Sequence, residues 1–489
     1  MTKTPTALWS PQSAEIFLRS ALTACACWYL AVFCVIAAMR LPFPGAVEWY
    51  ESGMYYMMLR VLGGQALYGS PSIEYVPTIY PPLYIYVSAA LARITGPGFF
   101  TLRMVSILST LGSMALICAI VCRETRSRSA GLWAAGFFAA TYHASATYFD
   151  IGRIDPLFLV LFLGSLYTLR FTPGIRGCLL AGTLLAASAL TKQTALVLFV
   201  PLCLWAWIFR PRIQALCFTG TTAALAGLTS LLLNAACNGW YFYYVFELPS
   251  QHAVLWNRAG SFWLQQILPP LGLAVCMTAA YFFLAPFKTN RGPVLLYALT
   301  VMAMLAASCM HWMKLGGFKN VIIPAHAALA IGAGLALGAA GKSRLRLLVL
   351  GAALVQFSLL WYNPLARVPV PGSADVVRRS VAAVRAVDGD VFAPANGYLA
   401  VMAGKKHSAH IGFINDILWG RPGPVRDRLI MEIESAIRGQ RFAAILLDRP
   451  FGVFQRDIEA HYVLRPQYAA APECWPLIKY WYIPADGQP

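Results

Sequence analysis

Acidic residues are scarce along most of this chain. Before residue 365 there are eight, Glu15, Glu48, Glu51, Glu74, Glu124, Asp150, Asp155 and Glu247, and the other twelve lie in the last 125 residues. Charged residues of both signs make up only 12% of the 489, against 59% hydrophobic, and the mean hydropathy is +0.61. A soluble protein this apolar would lack the polar surface to cover itself, which excludes that class for the larger part of the chain. Two solvents are implied, lipid for a long first region and water for a compact tail. A disulfide framework is also missing. Most of the twelve cysteines sit inside apolar runs (Cys25, Cys27, Cys34, Cys118, Cys122, Cys203 and Cys276), and the tail holds only Cys474. Their spacing matches no metal motif, so they read as small buried hydrophobes. Internal repeats and low-complexity segments are absent too. The first apolar stretch, 17–39, is too long for a signal-peptide core and lacks a small-residue cleavage site, so it reads as a membrane anchor.

What is present is a series of apolar runs of helix-spanning length, at 17–39, 101–122, 130–149, 156–170, 177–191, 194–209, 213–237, 262–285, 293–310, 320–341 and 346–363. The expected fold is therefore a polytopic α-helical membrane protein with about eleven transmembrane helices. Alternate connections carry the cations Arg123, Arg126 and Arg128; Arg170 and Arg176; Arg210 and Arg212; Lys288 and Arg291; and Lys342, Arg344 and Arg346. By the positive-inside rule these are cytoplasmic, which puts the N-terminus inside and the tail outside. Counting Pro81 to Thr95 as a further span would move Arg123–Arg128 outside, so that segment reads as an amphipathic helix along the outer surface.

Six of the eight acids then fall on the outer side: Glu48, Glu51, Glu74, Asp150, Asp155 and Glu247. Ionisable groups near membrane depth are costly and usually functional. Cations on this side, Arg103, Arg153, Lys192, Arg258, Lys314 and Lys319, run against the positive-inside trend, and an anionic ligand is a natural reason for them. The division expected is residues 1–364 in the membrane, with an outer loop at 40–100, and 365–489 as a small extracytoplasmic α/β domain. In the tail, Ser373 to Val387 reads as an amphipathic helix capped by Ser373. Asp390 to Ala395 and Phe442 to Asp448 read as strands, with a helix at Arg426 to Gly439 between them. The tail shows no nucleophile or metal constellation and is expected to support the outer face without an essential catalytic group; Asp416 and His410 are its residues to test.

Several constellations can carry chemistry, each with a plainer alternative. Glu48 and Glu51 in Glu48-Trp-Tyr-Glu51 share a face if helical, and a carboxylate there suits a general base for a hydroxyl or amine acceptor; both can equally be solvated loop acids. In Asp150-Ile-Gly-Arg153-Ile-Asp155-Pro156, Pro156 suits a first helical turn and Asp155 its cap, while Arg153 either pairs with the acids or holds a phosphate. Lys192 interrupts two apolar runs, as a functional cation or a simple turn. His311-Trp-Met-Lys314-Leu-Gly-Gly-Phe-Lys319-Asn puts two lysines around flexible backbone, which suits an anionic head group or merely snorkelling.

The order of these motifs, an acid after the first span, then Gly63-Gly-Gln-Ala-Leu-Tyr68, Pro81-Pro-Leu-Tyr84, Arg103-Met-Val-Ser106 and Asp155-Pro156, resembles the C-type glycosyltransferases over roughly 15–200. The nearest pattern is that of the protein mannosyltransferase group, including the lipid A aminoarabinose transferase. The resemblance implies catalytic acids at Glu51 and Asp155, with Glu48 nearby; from their charge and side of the membrane, Arg153, Lys192, Lys314 and Lys319 are the candidate phosphate-binding cations, with Tyr80, Arg103 and Asp150 as further candidate substrate-binding residues. It also implies a polyprenyl-phosphate sugar donor, a lipid, glycan or protein acceptor, inversion at the sugar, and residence in a bacterial inner membrane. No organic cofactor follows from it, a divalent metal is left open, and nucleic acid is not among the expected partners. Two departures stand out. The family commonly has Asp-Glu where this chain has Tyr50-Glu51, and the aminoarabinose transferase has Lys where this chain has Tyr80. The physical argument agrees: nucleotide sugars are cytoplasmic, so transfer outside needs a lipid-borne donor whose leaving phosphate is met by fixed cations. A transporter or flippase, or a non-catalytic envelope scaffold, are the rivals. The first would show pseudo-symmetric halves and mid-span charges, and neither is visible here.

Overall fold

The computed structural model describes residues 11–284, 291–340, 345–465 and 478–485. Lys288, Lys342, Arg344, Cys474 and both chain ends lie outside the described residues. Each of the eleven apolar runs is helical over much of its length. Six helices are long and apolar enough to cross a membrane: Pro11–Arg40, Phe99–Thr125, Arg212–Ala236, Arg258–Phe283, Arg291–Met313 and Lys319–Ala340. The first nine helices are α1 Pro11–Arg40, α2 Tyr50–Leu62, α3 Leu83–Thr95, α4 Phe99–Thr125, α5 Arg128–Ala140, α6 Asp155–Phe171, α7 Gly174–Ala189, α8 Thr194–Phe209 and α9 Arg212–Ala236. The segment expected as an amphipathic helix at 81–95 is α3. Neighbours pack as α1 on α5, α4 on α5 and α6, and α7 on α6 and α9.

The helix Ile323–Ala340 is buried along nearly its whole length, and its composition explains why. It is built almost entirely of Ala, Gly, Leu and Ile, and small residues let helix backbones approach closely where lipid offers no hydrophobic gain. A Cβ added at Gly334 would come within 2.6 Å of Ala134 on α5, so the two helices touch at that point.

Three local expectations are corrected. The run 130–149 is helical only to Ala140; from Thr141 the chain turns, with Ala146 and Thr147 in the left-handed region (φ 51° and 62°). The reason is polar. The Arg40 guanidinium donates to the Tyr142 hydroxyl and to Asp150, drawing that segment out of helix, and its backbone is satisfied inside protein rather than in lipid. Asp155 does not cap α6: it is the first helical residue, Ile154 precedes it, and its carboxylate is used elsewhere. Ser373 likewise lies inside its helix, Ser373–Arg385, behind Gly372, and its hydroxyl donates back to the Val370 carbonyl.

The C-terminal residues form a four-stranded sheet of order β1-β2-β4-β3, with β1 Val391–Phe392, β2 Ala444–Leu447, β3 Tyr462–Leu464 and β4 Tyr480–Pro484. β1 pairs parallel to β2 (Val391 with Ala444), and β4 runs antiparallel to both β2 and β3. The strands are shorter than the apolar runs that suggested them, and the helix between them is Pro424–Arg438. The apolar core here is not confined to the tail. Ile411, Phe413, Ile414 and the strands share one cluster with Tyr50, Met54, Met57 and Met58 of α2 and with Tyr84 and Ile85 of α3. Backbone bonds join the same parts: Ala409 N–H donates to the Ile73 carbonyl at 2.9 Å, and Tyr398 N–H to Ser52 Oγ at 3.2 Å.

Candidate active site

Two groups of buried ions gather where α1 ends and α2, α4 and α6 begin. The first is closed. Arg103 of α4 faces Glu51 of α2 in a two-pronged pair, Nη2 to Oε2 at 2.7 Å and Nε to Oε1 at 2.9 Å. Glu51 also accepts the Val47 and Gly152 N–H groups, each at 2.6 Å. The remaining Arg103 donors go to the carbonyls of Arg40, Phe43 and Gly45 at 3.0, 2.7 and 2.6 Å. Both side chains are 0% exposed. Residue 152 has to be small: a Cβ there would sit 2.9 Å from the Leu102 Cβ, and without one its N–H reaches the carboxylate. Burial pushes the Glu51 carboxyl up, but the Arg103 charge and these hydrogen bonds outweigh it and hold it below the usual range. Asp150 pairs with Arg40 at 2.9 Å and accepts from Tyr142 at 3.0 Å, both through Oδ1, while its Oδ2 and the Arg40 Nε have no hydrogen-bond partner.

The second group is looser and centres on Arg153. Glu48 Oε2 accepts Arg153 Nη1 at 3.3 Å and the Tyr50 N–H at 3.0 Å, and its other oxygen accepts the Tyr148 hydroxyl at 3.3 Å. Arg153 Nε lies 3.5 Å from Asp155, beyond good hydrogen-bond length, and has no hydrogen-bond partner. Asp155 is held from its other side by Lys192 Nζ at 2.6 Å and by Asn320 Nδ2 at 3.2 and 3.3 Å. The Arg153 guanidinium lies over the rings of Tyr50 (4.3 Å) and Tyr148 (4.9 Å). Glu48 and Arg153 keep 13% and 8% side-chain exposure, where Glu51 and Arg103 have none. Burial raises the Glu48 carboxyl, opposed by the Arg153 charge. Chemically the centre offers a carboxylate with raised basicity beside two cations.

The structure thus brings Glu48, Arg153, Asp155 and Lys192 together, with the Tyr80 ring 5.9 Å from the Lys192 ammonium. Glu51 with Arg103 and Asp150 with Arg40 form separate buried pairs. Lys314 turns elsewhere, its ammonium 3.3 Å from the carbonyls of Pro249 and His252. Lys319 is half-buried and makes no ion pair with any described residue; its neighbour Asn320 is the one that reaches Asp155. Sequence reasoning missed Asn320, Tyr148 and Arg40. The only signal for Asn320 was its place directly after the Gly-Gly-Phe-Lys run.

From the tail, the helix Ile411–Leu418 packs on the start of α2. His410 Nε2 donates to the Trp49 carbonyl at 2.9 Å, its ring stacks on Trp49, and burial lowers it to about 4, so it stays neutral. An apolar groove of about 310 Å³ is lined by Leu190, Gln193, Leu196, Leu231, Tyr241 and Phe246, the first two being close chain neighbours of Lys192. Gln193 donates to the Ile79 and Val245 carbonyls at 2.6 and 2.8 Å. Among the described residues no three His, Cys, Asp or Glu side chains gather as a metal cluster. The site carboxylates face Arg153 and Lys192 instead, an arrangement that does not fit a divalent ion.

Comparison with known proteins agrees with this architecture. The family model described as dolichyl-phosphate-mannose-protein mannosyltransferase matches residues 80–240. No curated protein sequence matches the chain. Two crystal structures of ArnT from Cupriavidus metallidurans share the fold at 12% identity, over 93% of this chain and 97% of theirs. They are the apo state (TM-score 0.60) and the form bound to undecaprenyl phosphate (TM-score 0.58). The Archaeoglobus fulgidus oligosaccharyltransferase in complex with Zn and sulfate is 11% identical, with a TM-score of 0.51 over 88% of this chain and 68% of its own. The chain shares the fold of these C-type glycosyltransferases, and its residues 80–240 match the mannosyltransferase family model.

Proposed function

We propose that this chain transfers a sugar from a polyprenyl-phosphate donor to a lipid, glycan or protein acceptor at the extracytoplasmic face of a bacterial inner membrane. The observation that carries the proposal is the partly open Glu48–Arg153–Asp155–Lys192 cluster, with an apolar groove lined by Leu190 and Gln193 on either side of Lys192 in the chain. The groove suits the polyprenyl chain, and Arg153 with Lys192 suits its phosphate. Those cations meet an anion in the ground state and a larger negative charge on the leaving oxygen as the sugar departs. Glu48 takes the proton of the acceptor hydroxyl. Asp155, anchored by Lys192 and Asn320, positions the acceptor or the sugar. Glu51 belongs to the frame, because both of its oxygens are consumed by Arg103 and two backbone N–H groups.

In this reading the chain crosses the membrane eleven times, with residue 1 cytoplasmic and the region 365–489 outside, where the site lies. ArnT in one of the similar structures binds undecaprenyl phosphate, which is the class of lipid proposed here. The decisive experiment is transfer of labelled sugar from polyprenyl phosphate by the purified protein in nanodiscs. Near-normal turnover in both Glu48→Gln and Asp155→Asn ends the mechanism. Reporter fusions after Arg128 and Pro489 should report opposite sides of the membrane, and the same side for both would overturn the eleven-span topology.

A further inference from the structure

We propose that the carboxyl group of Asp416, from the C-terminal region, reaches the same centre and donates a hydrogen bond to the phosphate of the lipid donor. This rests on the sugar-transfer reading above and adds a catalytic residue to it from a part of the chain that the sequence had assigned to support.

Placement is the first argument. Asp416 follows Phe413 by three residues on the helix Ile411–Leu418, so the two share a face. Phe413 meets the Tyr50 ring edge-on at 5.0 Å, and Arg153 lies 4.3 Å over that same ring. The helix is held there from three directions. His410 Nε2 donates to the Trp49 carbonyl, and His252 Nε2 donates to the Asp416 carbonyl at 2.8 Å. The Trp419 ring presses on Gly316, where a Cβ would come within 2.7 Å of it. Three separate segments outside the tail therefore fix the position of Asp416.

Its chemistry is the second. The residue is only 7% exposed, yet the carboxyl makes no hydrogen bond or ion pair with any described residue. An ionised carboxylate in that position is costly, and the usual escape is to keep the proton. Burial pushes the group up to about 8, with only the Arg153 charge opposing. The titratable and charged groups that share its electrostatic surroundings are Tyr50 from α2, Tyr80 from the loop before α3 and Arg153, while His252 bonds its backbone carbonyl. Burial raises both tyrosines and lowers the histidine, so none of these three changes charge near pH 8. A neutral carboxyl beside Arg153 is the form that welcomes a phosphate. It supplies a donor where a carboxylate would repel.

The step balances as follows. The acceptor hydroxyl gives its proton to Glu48 while its oxygen bonds to the anomeric carbon. The carbon–oxygen bond to phosphate breaks, its electron pair goes to the phosphate oxygen, and Asp416 keeps its proton while donating a hydrogen bond to the phosphate as that charge grows. Solvent then removes the proton from Glu48.

Equilibrium binding of undecaprenyl phosphate to the full-length protein in nanodiscs, from pH 7.5 to 9.5, tests this without needing the sugar. That range lies above the second ionisation of a phosphate monoester, at about 6, so the probe stays a dianion throughout. Binding that needs protonated Asp416 is complete below about pH 8 and is lost as pH rises through it. Wild-type affinity should therefore fall roughly tenfold or more between pH 8 and 9.5. The fall should persist in Glu48→Gln and vanish in Asp416→Asn, which keeps a donor but cannot titrate. Wild-type binding that is flat across the range overturns the role of Asp416 alone, whether or not any variant folds. Absence of wild-type binding at every pH overturns the lipid-phosphate donor and this role together. The two failures are thus distinct.

Discussion

Glu51 and Glu48 are three residues apart, and each is paired with an arginine that comes from another part of the chain, but the two pairs differ in how much bonding capacity is left. Glu51 and Arg103 have spent theirs: two mutual bonds, two backbone N–H donors to the acid, and three carbonyls on the base. Glu48 and Arg153 meet through one 3.3 Å contact, and Arg153 keeps an unbonded Nε. A saturated buried pair cannot exchange partners without leaving a charge stranded. A loose pair can accept a substrate anion or give up a proton. The lesson is that burial of an ion pair does not by itself mark a site; the unfilled hydrogen-bonding positions do.

The contrast can be broken most directly at the closed pair. Arg103→Ala leaves Glu51 buried and uncompensated, which typically costs ~3–5 kcal/mol. The expected outcome is loss of folded protein in detergent, read by thermal unfolding and size-exclusion chromatography. A normally stable variant would show that the frame does not depend on this pair. Glu48→Gln should do the reverse, leaving the unfolding temperature nearly unchanged while turnover falls ~10²–10⁴-fold, the usual contribution of a general base. If Glu51→Gln instead gave a stable protein with that loss of turnover, the two roles would be exchanged.

Lys192→Met should raise the donor concentration needed for half-maximal rate more than it lowers kcat, because Lys192 meets the phosphate before reaction as well as during it. Steady-state kinetics with varied lipid donor would separate these, and an effect on kcat alone would place Lys192 away from the donor. The smallest effect belongs to Arg441→Ala, which removes the pair with Glu74. At 2.6 Å it is as short as any in the centre, but its side chains are 38% and 52% exposed. Exposed pairs contribute about 0–1 kcal/mol, so thermal stability should barely move. A large loss would mean that this contact secures the tail to the 63–82 segment.

Much of the site was legible because the local pattern is strong. A carboxylate or cation in a long apolar sequence is conspicuous, and Glu48, Arg153, Asp155 and Lys192 all stood out on that ground. Their roles were harder to read. Glu51 looked like the base because it stood at a motif position, yet its partner is 52 residues away in sequence and no periodicity reveals it. Arg40 and Asp150 are separated by 110 positions and were not paired in advance. The caps expected of Asp155 and Ser373 failed for a related reason. A tertiary partner, Lys192, took the first side chain, and at the second a glycine supplied the left-handed turn that starts the helix.

The sequence by itself determined the apolar helices, the clustering of rare acids between particular ones, and two of the four described strands of the tail. These follow from composition and spacing over a few residues, where hydrophobic transfer and helix geometry act locally. Only the tertiary structure decided which acids are locked and which remain available, and that the helix carrying Asp416 packs through Phe413 on Tyr50. Those outcomes depend on hydrogen-bond saturation and desolvation, which arise from atoms brought together across hundreds of residues and have no signature in the neighbours along the chain.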